Sequence, residues 1–303
     1  MSENISGPVG DAPQRNDPKG RPRRGTGTLR SLLGSPVAMT GVVLVLLHVV
    51  VAVAAPWIAP YSPIATSPLE AIVNPTSSHW LGTDQLGRDV LSRVIYGGRN
   101  AMLISAAAAV LSVGIGTALG CAAAYFRGWF DEVLMRILDA VLSVPAILAL
   151  LVVVSVLGAG APVIVLAATV VYCPAVIRVV RAGAQSVVGL DYVTAARARG
   201  ENPWATMVRE ILPNILDVVL VEFAMRASWI VLLVSSLSFL GFGANPPTPD
   251  WGLMVSESRS LLTVTPWAAI GPIIALATLI VGLNLAADGL AKARGIDRIT
   301  GGA

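Results

Sequence analysis

Charged side chains are scarce in this sequence, so the few that interrupt its apolar stretches are the first candidates for chemistry. Glu222 and Arg226 stand one helical turn apart in the apolar run Val218–Leu240, so they share a helix face and can pair. Charges at that depth are costly and normally face a bundle interior or a water-filled path. Two roles fit the pair: lining or gating a path, or fixing packing against a neighbouring chain. His48 lies in another apolar run with no carboxylate near it in sequence, which favours packing over proton relay. Cys121 and Cys173 are isolated inside apolar runs and read as small core residues rather than a disulfide framework or zinc site. The sequence holds no G-x-x-x-x-G-K-[ST] phosphate loop, no G-x-S-x-G elbow and no His/Asp/Glu cluster with metal-ligand spacing. The chain is therefore not expected to be an enzyme by itself, to hold a metal or cofactor, or to bind ATP through a P-loop.

The most informative polar stretch is Asp191–Asn214, DYVTAARARGENPWATMVREILPN. Asp191 suits an N-cap and Tyr192–Arg199 a two-turn helix. Gly200 suits the left-handed residue that stops it. Asn202 suits a second cap, with Pro203 at the first helical position, and Pro213 a break or kink before the next helix. Tyr192, Ala195, Ala196 and Arg199 are expected on one face. A helix this short and polar is not stable alone, so something must pack on it. Two readings fit: a docking surface for a cytoplasmic partner, or an amphipathic loop resting on lipid headgroups.

The elements that position these groups follow from composition. Of 303 residues, 55% are hydrophobic and 13% charged, about half the charged share of a soluble domain. The apolar residues fall in runs of about 20, enough to cross a bilayer as helices, and they lack the alternation of barrel strands. Six spans are expected, over 37–58, 101–125, 138–157, 163–180, 218–240 and 267–287, forming an all-α membrane protein. Pro145 and Pro174 interrupt the third and fourth. Residues 1–35, rich in Gly, Pro, Ser and charge, are expected to be a disordered basic tail. The first span is expected to be retained rather than cleaved as a signal peptide. Between the first two spans, Thr83 or Asp84 suits a turn cap, and Asp89–Tyr96 reads as a separate amphipathic helix at the outer interface. Pro246, Pro247 and Pro249 predict a stiff, extended loop. The net charge of +3 is too small to argue for nucleic acid.

Lys and Arg set the orientation. With the N-terminus in the cytoplasm, that side receives Lys19, Arg21, Arg23, Arg24 and Arg30, then Arg127, Arg136, Arg178, Arg181, Arg197, Arg199 and Arg209, and finally Lys292, Arg294 and Arg298. The outer side receives only Arg88, Arg93, Arg99 and Arg259. Both termini are expected in the cytoplasm.

The stretch 191–214 resembles the coupling-loop motif of ABC importer permeases: Glu-Ala-Ala, three residues, Gly, about nine residues, an aliphatic residue and Leu-Pro. Ala195, Ala196, Gly200, Leu212 and Pro213 match at the right spacing. Thr194 stands in place of the motif Glu, and Glu210 in place of an aliphatic residue, with Ile211 adjacent. Two further stretches resemble the dipeptide, oligopeptide and nickel branch: HWLGTDQLGRDVLSRVIYGGR over His79–Arg99, and LSFLGFGANPPTPDWG over Leu237–Gly252. Asn284–Leu290 is a weaker third. Together they span most of residues 79–290 and point to the C-type subunit of a paired permease.

That resemblance implies a type I importer bundle in a bacterial cytoplasmic membrane. It implies an extra first helix with an outer loop over 36–100, and a core over 101–303. Tyr192, Thr194, Ala195, Ala196, Arg199, Gly200, Pro203 and Trp204 would dock on an ATPase subunit. Glu222 and Arg226 would line the translocation path or its gate. Asp84, Arg88, Pro247, Asp250 and Trp251 would contact an extracytoplasmic substrate-binding protein. The implied partners are a second permease and two ATP-binding subunits carrying ATP and Mg, besides the binding protein and lipid. The implied cargo is a dipeptide or oligopeptide, with nickel chelates and haem carried elsewhere in the family. An ion-gradient transporter and a non-transporting scaffold are the rival classes. The first needs paired midplane carboxylates, and the second leaves the capped helix without a task.

Overall fold

The computed structural model describes residues 35–243 and 246–293. The basic residues from Lys19 to Arg30 and the terminal Arg294 and Arg298 lie outside them. The described residues form ten α-helices, with one isolated bridge, Thr83–Asp89, and no other strand pairing. They are α1 (Pro36–Ile58), α2 (Val90–Phe126), α3 (Gly128–Leu142), α4 (Ala146–Leu157), α5 (Ala161–Val188), α6 (Asp191–Ala198), α7 (Pro203–Thr206), α8 (Leu212–Phe239), α9 (Trp251–Glu257) and α10 (Trp267–Ala293). A π-helical turn, Met207–Ile211, joins α7 to α8. Five helical stretches are long and apolar enough to cross a membrane, and the bent pair α3–α4 makes a sixth if counted as one span.

The interior is built from small residues. One cluster sets Cys121, Ala122 and Ala124 of α2 against Val176, Val180 and Ala184 of α5, and closes with Ile211 and Ile215. A second joins Ala108 of α2, Leu150 of α4, Ala168 of α5 and Ile230 of α8. Alanine-rich seams let helix backbones approach where lipid offers no hydrophobic drive for association. On the flank, α1 leans on α10 at Gly41 and Gly282, where a Cβ on Gly282 would stand 2.9 Å from Leu44 Cβ. His48 packs in that seam. Its Nδ1 lies 2.8 Å from Leu44 O and its Nε2 3.1 Å from Ala275 O, which uses both ring nitrogens locally.

The structure corrects several expected boundaries. Asp89–Tyr96 is not a separate interfacial helix; Val90 begins the helix that runs unbroken to Phe126. No proline interrupts it, and the Trp251 ring fills the space beside Gly97 and Gly98, so the apparent breaker pair continues the ladder. The expected span 138–157 is instead α3 and α4, bent by 82° around Ser143–Pro145. Pro145 lacks the N–H that would continue α3 and takes an extended ψ of 130°. Pro174 leaves α5 continuous. Pro213 does not break the chain either: the π-helical turn Met207–Ile211 runs directly into α8, and a local π adjustment is one way a helix accommodates the N–H that proline lacks. Beyond the proline run, residues 251–261, which lie outside every expected span, form α9 and a 3-10 turn, Ser258–Leu261.

Candidate functional site

At one end of the bundle, α6 and α7 form a capped elbow between α5 and α8. Asp191 is the first residue of α6 rather than its cap, and Leu190 holds the cap position without a side-chain bond. Gly200 takes φ +74°, and the Gly200 and Glu201 amides donate to Arg197 O and Ala196 O at 2.9 and 3.2 Å. This closes α6 as a left-handed glycine stop does. Asn202 then caps α7, its side chain accepting from the Trp204 amide at 2.9 Å.

The expected common face divides in two. Val193 and Ala196 are buried, Val193 packed with Val187, Val188, Met207 and Ile211. Thr194, Ala195, Arg199 and Gly200 are exposed, as are Tyr192 at 39% and Trp204 at 60%. Ala196 is therefore a docking point onto the bundle. The outward surface is a ring, small side chains and the exposed Arg199–Glu201 pair at 2.6 Å. Two apolar rings presented to solvent at the end of a capped helix form a surface suited to a protein partner.

Within α8, Arg226 Nε donates to Glu222 Oε2 at 2.9 Å, with both side chains largely buried. Two further pairs hold α3 to α5. Arg181 meets Asp131 with Nε–Oδ1 of 2.5 Å, and Arg178 meets Asp139. Beside the first pair, Tyr172, Trp229, Leu232, Leu233 and Ser236 line an open groove of about 440 Å³ with Ala146 and Ile147 of α4. Across α5, an apolar groove of about 430 Å³ runs along Pro145, Val153, Leu166 and Val170. Neither groove gathers nucleophiles or acid–base pairs. Among the described residues no three His, Cys, Asp or Glu side chains are placed to hold a metal ion, and both cysteines are buried free thiols.

The opposite end carries a polar cap that the sequence reading placed on the surface. Asp84, Arg88, Asp250 and Trp251, expected as partner contacts, are buried; of that group only Pro247 is exposed. The reason is mutual pairing. Asp84 accepts from the Leu86 and Arg88 amides at 2.9 and 3.0 Å and from Arg88 Nε at 2.6 Å, and it also binds Arg93. Glu257, the last residue of α9, lies 3.1 Å from both guanidinium groups. Gln85 Nε2 donates to Glu257 O and Ser260 Oγ at 2.9 Å. Trp251 Nε1 donates to Val94 O at 2.8 Å. Asp250 caps α9 by accepting from the Leu253 amide at 3.1 Å, and burial pushes its carboxyl above the usual carboxylate range despite that bond.

Sequence reasoning missed Arg93, Glu257, His79 and Asp89. His79 Nδ1 lies 2.9 Å from Asp89 Oδ1, and the other Asp89 oxygen accepts from the Ser92 amide at 2.8 Å to cap α2. The signal for a folded cap was the density of paired charges between Gly82 and Arg93, in a stretch too polar to be membrane-embedded and too ordered in its glycines to be a linker.

Residues 113–294 match the family described as binding-protein-dependent transport system inner membrane component. Residues 26–75 match the N-terminal transmembrane domain of oligopeptide transport permease C. The chain is 37% identical over 265 residues to a glutathione transport system permease protein GsiD of Pectobacterium atrosepticum, covering 87% of this chain and 88% of that one. It is 38% identical over 262 residues to the proteins of that name in Shigella dysenteriae serotype 1 and Escherichia coli O157:H7, covering 85% of each chain.

Proposed function

The chain belongs to the inner membrane components of binding-protein-dependent transport systems, an ABC importer permease with the type I fold, and from that premise we propose that it imports small peptides. The relatives described above are named for transport of glutathione, a tripeptide, which supports a short peptide as cargo over a nickel chelate or haem. In this reading the chain forms half of a translocation path with a second permease and takes cargo from an extracytoplasmic binding protein. Two ATP-binding subunits drive it, so nucleotide and Mg belong to those chains. It sits in a bacterial cytoplasmic membrane with both termini and α6 on the cytoplasmic side. Residues 36–89 supply an added helix and outer loop, and the core starts with α2 at Val90 rather than at 101; the expected tail lies outside the described residues, Ser35 apart.

The observation that supports this reading best is the α6–α7 elbow, anchored by Val193 and Ala196 and presenting Tyr192, Ala195, Arg199 and Trp204 outward. That surface would seat in a cleft of an ATPase subunit, held by shape and ring contact, since Thr194 offers no charge. Closure of the ATPase pair would move the elbow as a rigid body and change which side of the bundle is open.

The test is reconstitution with the partner subunits in proteoliposomes. Hydrolysis stimulated by a binding protein, and uptake that survives collapse of ion gradients while ATP is maintained, are expected; uptake that follows the gradient refutes the proposal. Gly200→Pro is expected to keep membrane insertion and lose uptake. Proline cannot adopt φ +74° and has no N–H for Arg197 O. Unchanged uptake would remove the elbow from the coupling role.

A further inference from the structure

We infer that α2 is the element that carries motion of the elbow to the opposite face of the membrane, and that Arg197 is the positioning residue through which the motion enters it. This rests on the coupling reading of α6 given above. Each end of α2 is fastened to a different moving part. At its C-terminus, the Arg197 guanidinium lies 4.1 Å from the centre of the Tyr125 ring, and its Nη2 donates to Tyr125 O at 3.3 Å. That carbonyl belongs to the last turn of α2, where acceptors have no helical partner and a cation meets the negative end of the helix dipole. Arg197 is thus a charged clamp between elbow and helix, in addition to the apolar seat of Val193 and Ala196.

At its N-terminus, the first turns of α2 hold both cap segments. Asp89 and Ser92 fasten the loop before α2, the first through His79 at 2.9 Å and the second by accepting from the Tyr61 amide at 3.1 Å. Arg93 and Val94 fasten the segment between α8 and α10, through Glu257 at 3.1 Å and Trp251 Nε1 at 2.8 Å. Any displacement of α2 along or about its axis must therefore move both segments together.

Between these ends α2 is the stiffest connection available. Its 37 residues reach about 55 Å at the helical rise of 1.5 Å per residue. Among the described spans it alone has no proline and no break. α1 carries Pro56, α5 carries Pro174 and α10 carries Pro272. The stretch leading into α8 contains the π turn Met207–Ile211, and α3–α4 is bent. The helices continuous in sequence with the elbow, α5 and α8, are thus the ones with soft points, whereas α2 reaches the elbow only through side chains. A proline-free helix fastened at both ends passes a displacement at either end to the other, which is the kind of element coupling between distant sites uses.

The experiment uses the assembled importer in proteoliposomes, with Arg197→Ala, Arg197→Lys, Tyr125→Phe and Tyr125→Leu in this chain. Basal hydrolysis is expected to stay within about twofold of wild type in all four. Stimulation by the binding protein is expected to fall about fivefold or more, the low end of ordinary intersite coupling, in Arg197→Ala and Tyr125→Leu. Arg197→Lys and Tyr125→Phe, which keep a cation over a ring, are expected to retain most of it. Spin labels at the exposed Leu69 of the cap and Val208 of the π turn next to the elbow report the lever directly. Their separation is expected to be unchanged between nucleotide-free and ATP-bound states in the wild type, and to broaden in Arg197→Ala. Full stimulation in Arg197→Ala, or a wild-type separation that changes with ATP, overturns the role of α2 while leaving the coupling reading intact. Failure of a cysteine at Ala195 to cross-link to an ATPase subunit in the wild-type complex overturns that reading and this inference together.

Discussion

Replacing Asp84 by alanine removes the acceptor that organises the polar cap, and the cost can be worked from the geometry. Asp84 takes four donors: the Leu86 and Arg88 amides, Arg88 Nε and Arg93 Nη1. Its loss leaves guanidinium groups whose side chains are 5% and 2% exposed facing Glu257 alone. Stripping one partner from a buried ion pair costs about 3–5 kcal/mol. Glu257 remains 3.1 Å from both arginines, so the lower end applies, about 3 kcal/mol or roughly a hundredfold in the folding equilibrium. Asp84→Asn keeps an oxygen for the two amides and should cost about half as much. Arg93 already has two buried donors, Nε and its second Nη, without a protein partner. Asp84→Ala combined with Arg93→Met therefore removes unmet donors with the lost charge and should be less destabilised than Asp84→Ala alone. Unfolding free energies from SDS titration in mixed micelles measure these three and Arg93→Met alone. An Asp84→Ala protein within about 1 kcal/mol of wild type, or strictly additive effects in the double variant, would refute the claim that this carboxylate holds the cap.

Three other perturbations have defined outcomes. Burial raises the Asp250 pKa, so the folded state binds that proton more tightly than the unfolded one; the contribution is complete below the unfolded value near pH 4 and lost as pH rises through the folded value. Asp250→Asn keeps the cap on Leu253 without the charge, so its thermal stability should exceed wild type at neutral pH and lose part of its pH dependence between acid and neutral solution. Gly282→Val should cost about 1–3 kcal/mol by forcing α1 off α10, seen as loss of a disulfide cross-link engineered across that seam, because a Cβ there already meets Leu44 and Gly41. Glu222→Met should destabilise more than Glu222→Met with Arg226→Met, since only the single variant leaves Arg226 buried without its counter-ion; a double variant that assembles and transports fully would remove the pair from the translocation path.

The helical class and six apolar runs were legible in the sequence because hydropathy at span length admits few alternatives. Gly200, Asn202 and Pro203 were legible too, since each acts on its own backbone neighbours. What was not legible depended on partners distant in sequence. Tyr96 reads as a helix end until Trp251 is seen to pack on Gly97 and Gly98, which carry the helix onward, and Ala196 reads as part of the outward face until the elbow turns it inward. The cap was misread for the same reason: Asp84 and Arg88 in a polar stretch look solvent-facing, whereas Asp84 pairs with Arg93 and Arg88 with Glu257, far along the chain.

The burial of those charges also changes what that end of the bundle can do. A surface of free Asp and Arg would recruit a binding protein by charge and lose affinity with salt. Here most of the charges are spent on one another, with Glu70 and Arg259 still exposed, and the large apolar side chains left outward on the cap include Leu69, Trp80 and Leu86. Contact with a partner at that face is then largely apolar and shape-dependent, and it bears on segments locked to the first turns of α2 rather than on loose loops. A binding protein settling there would press on the same helix whose other end touches the elbow. Stimulation of hydrolysis by a protein on the far side of the membrane then needs no route beyond the one helix, provided the salt-insensitive, apolar contact expected at Trp80 is what holds the partner in place.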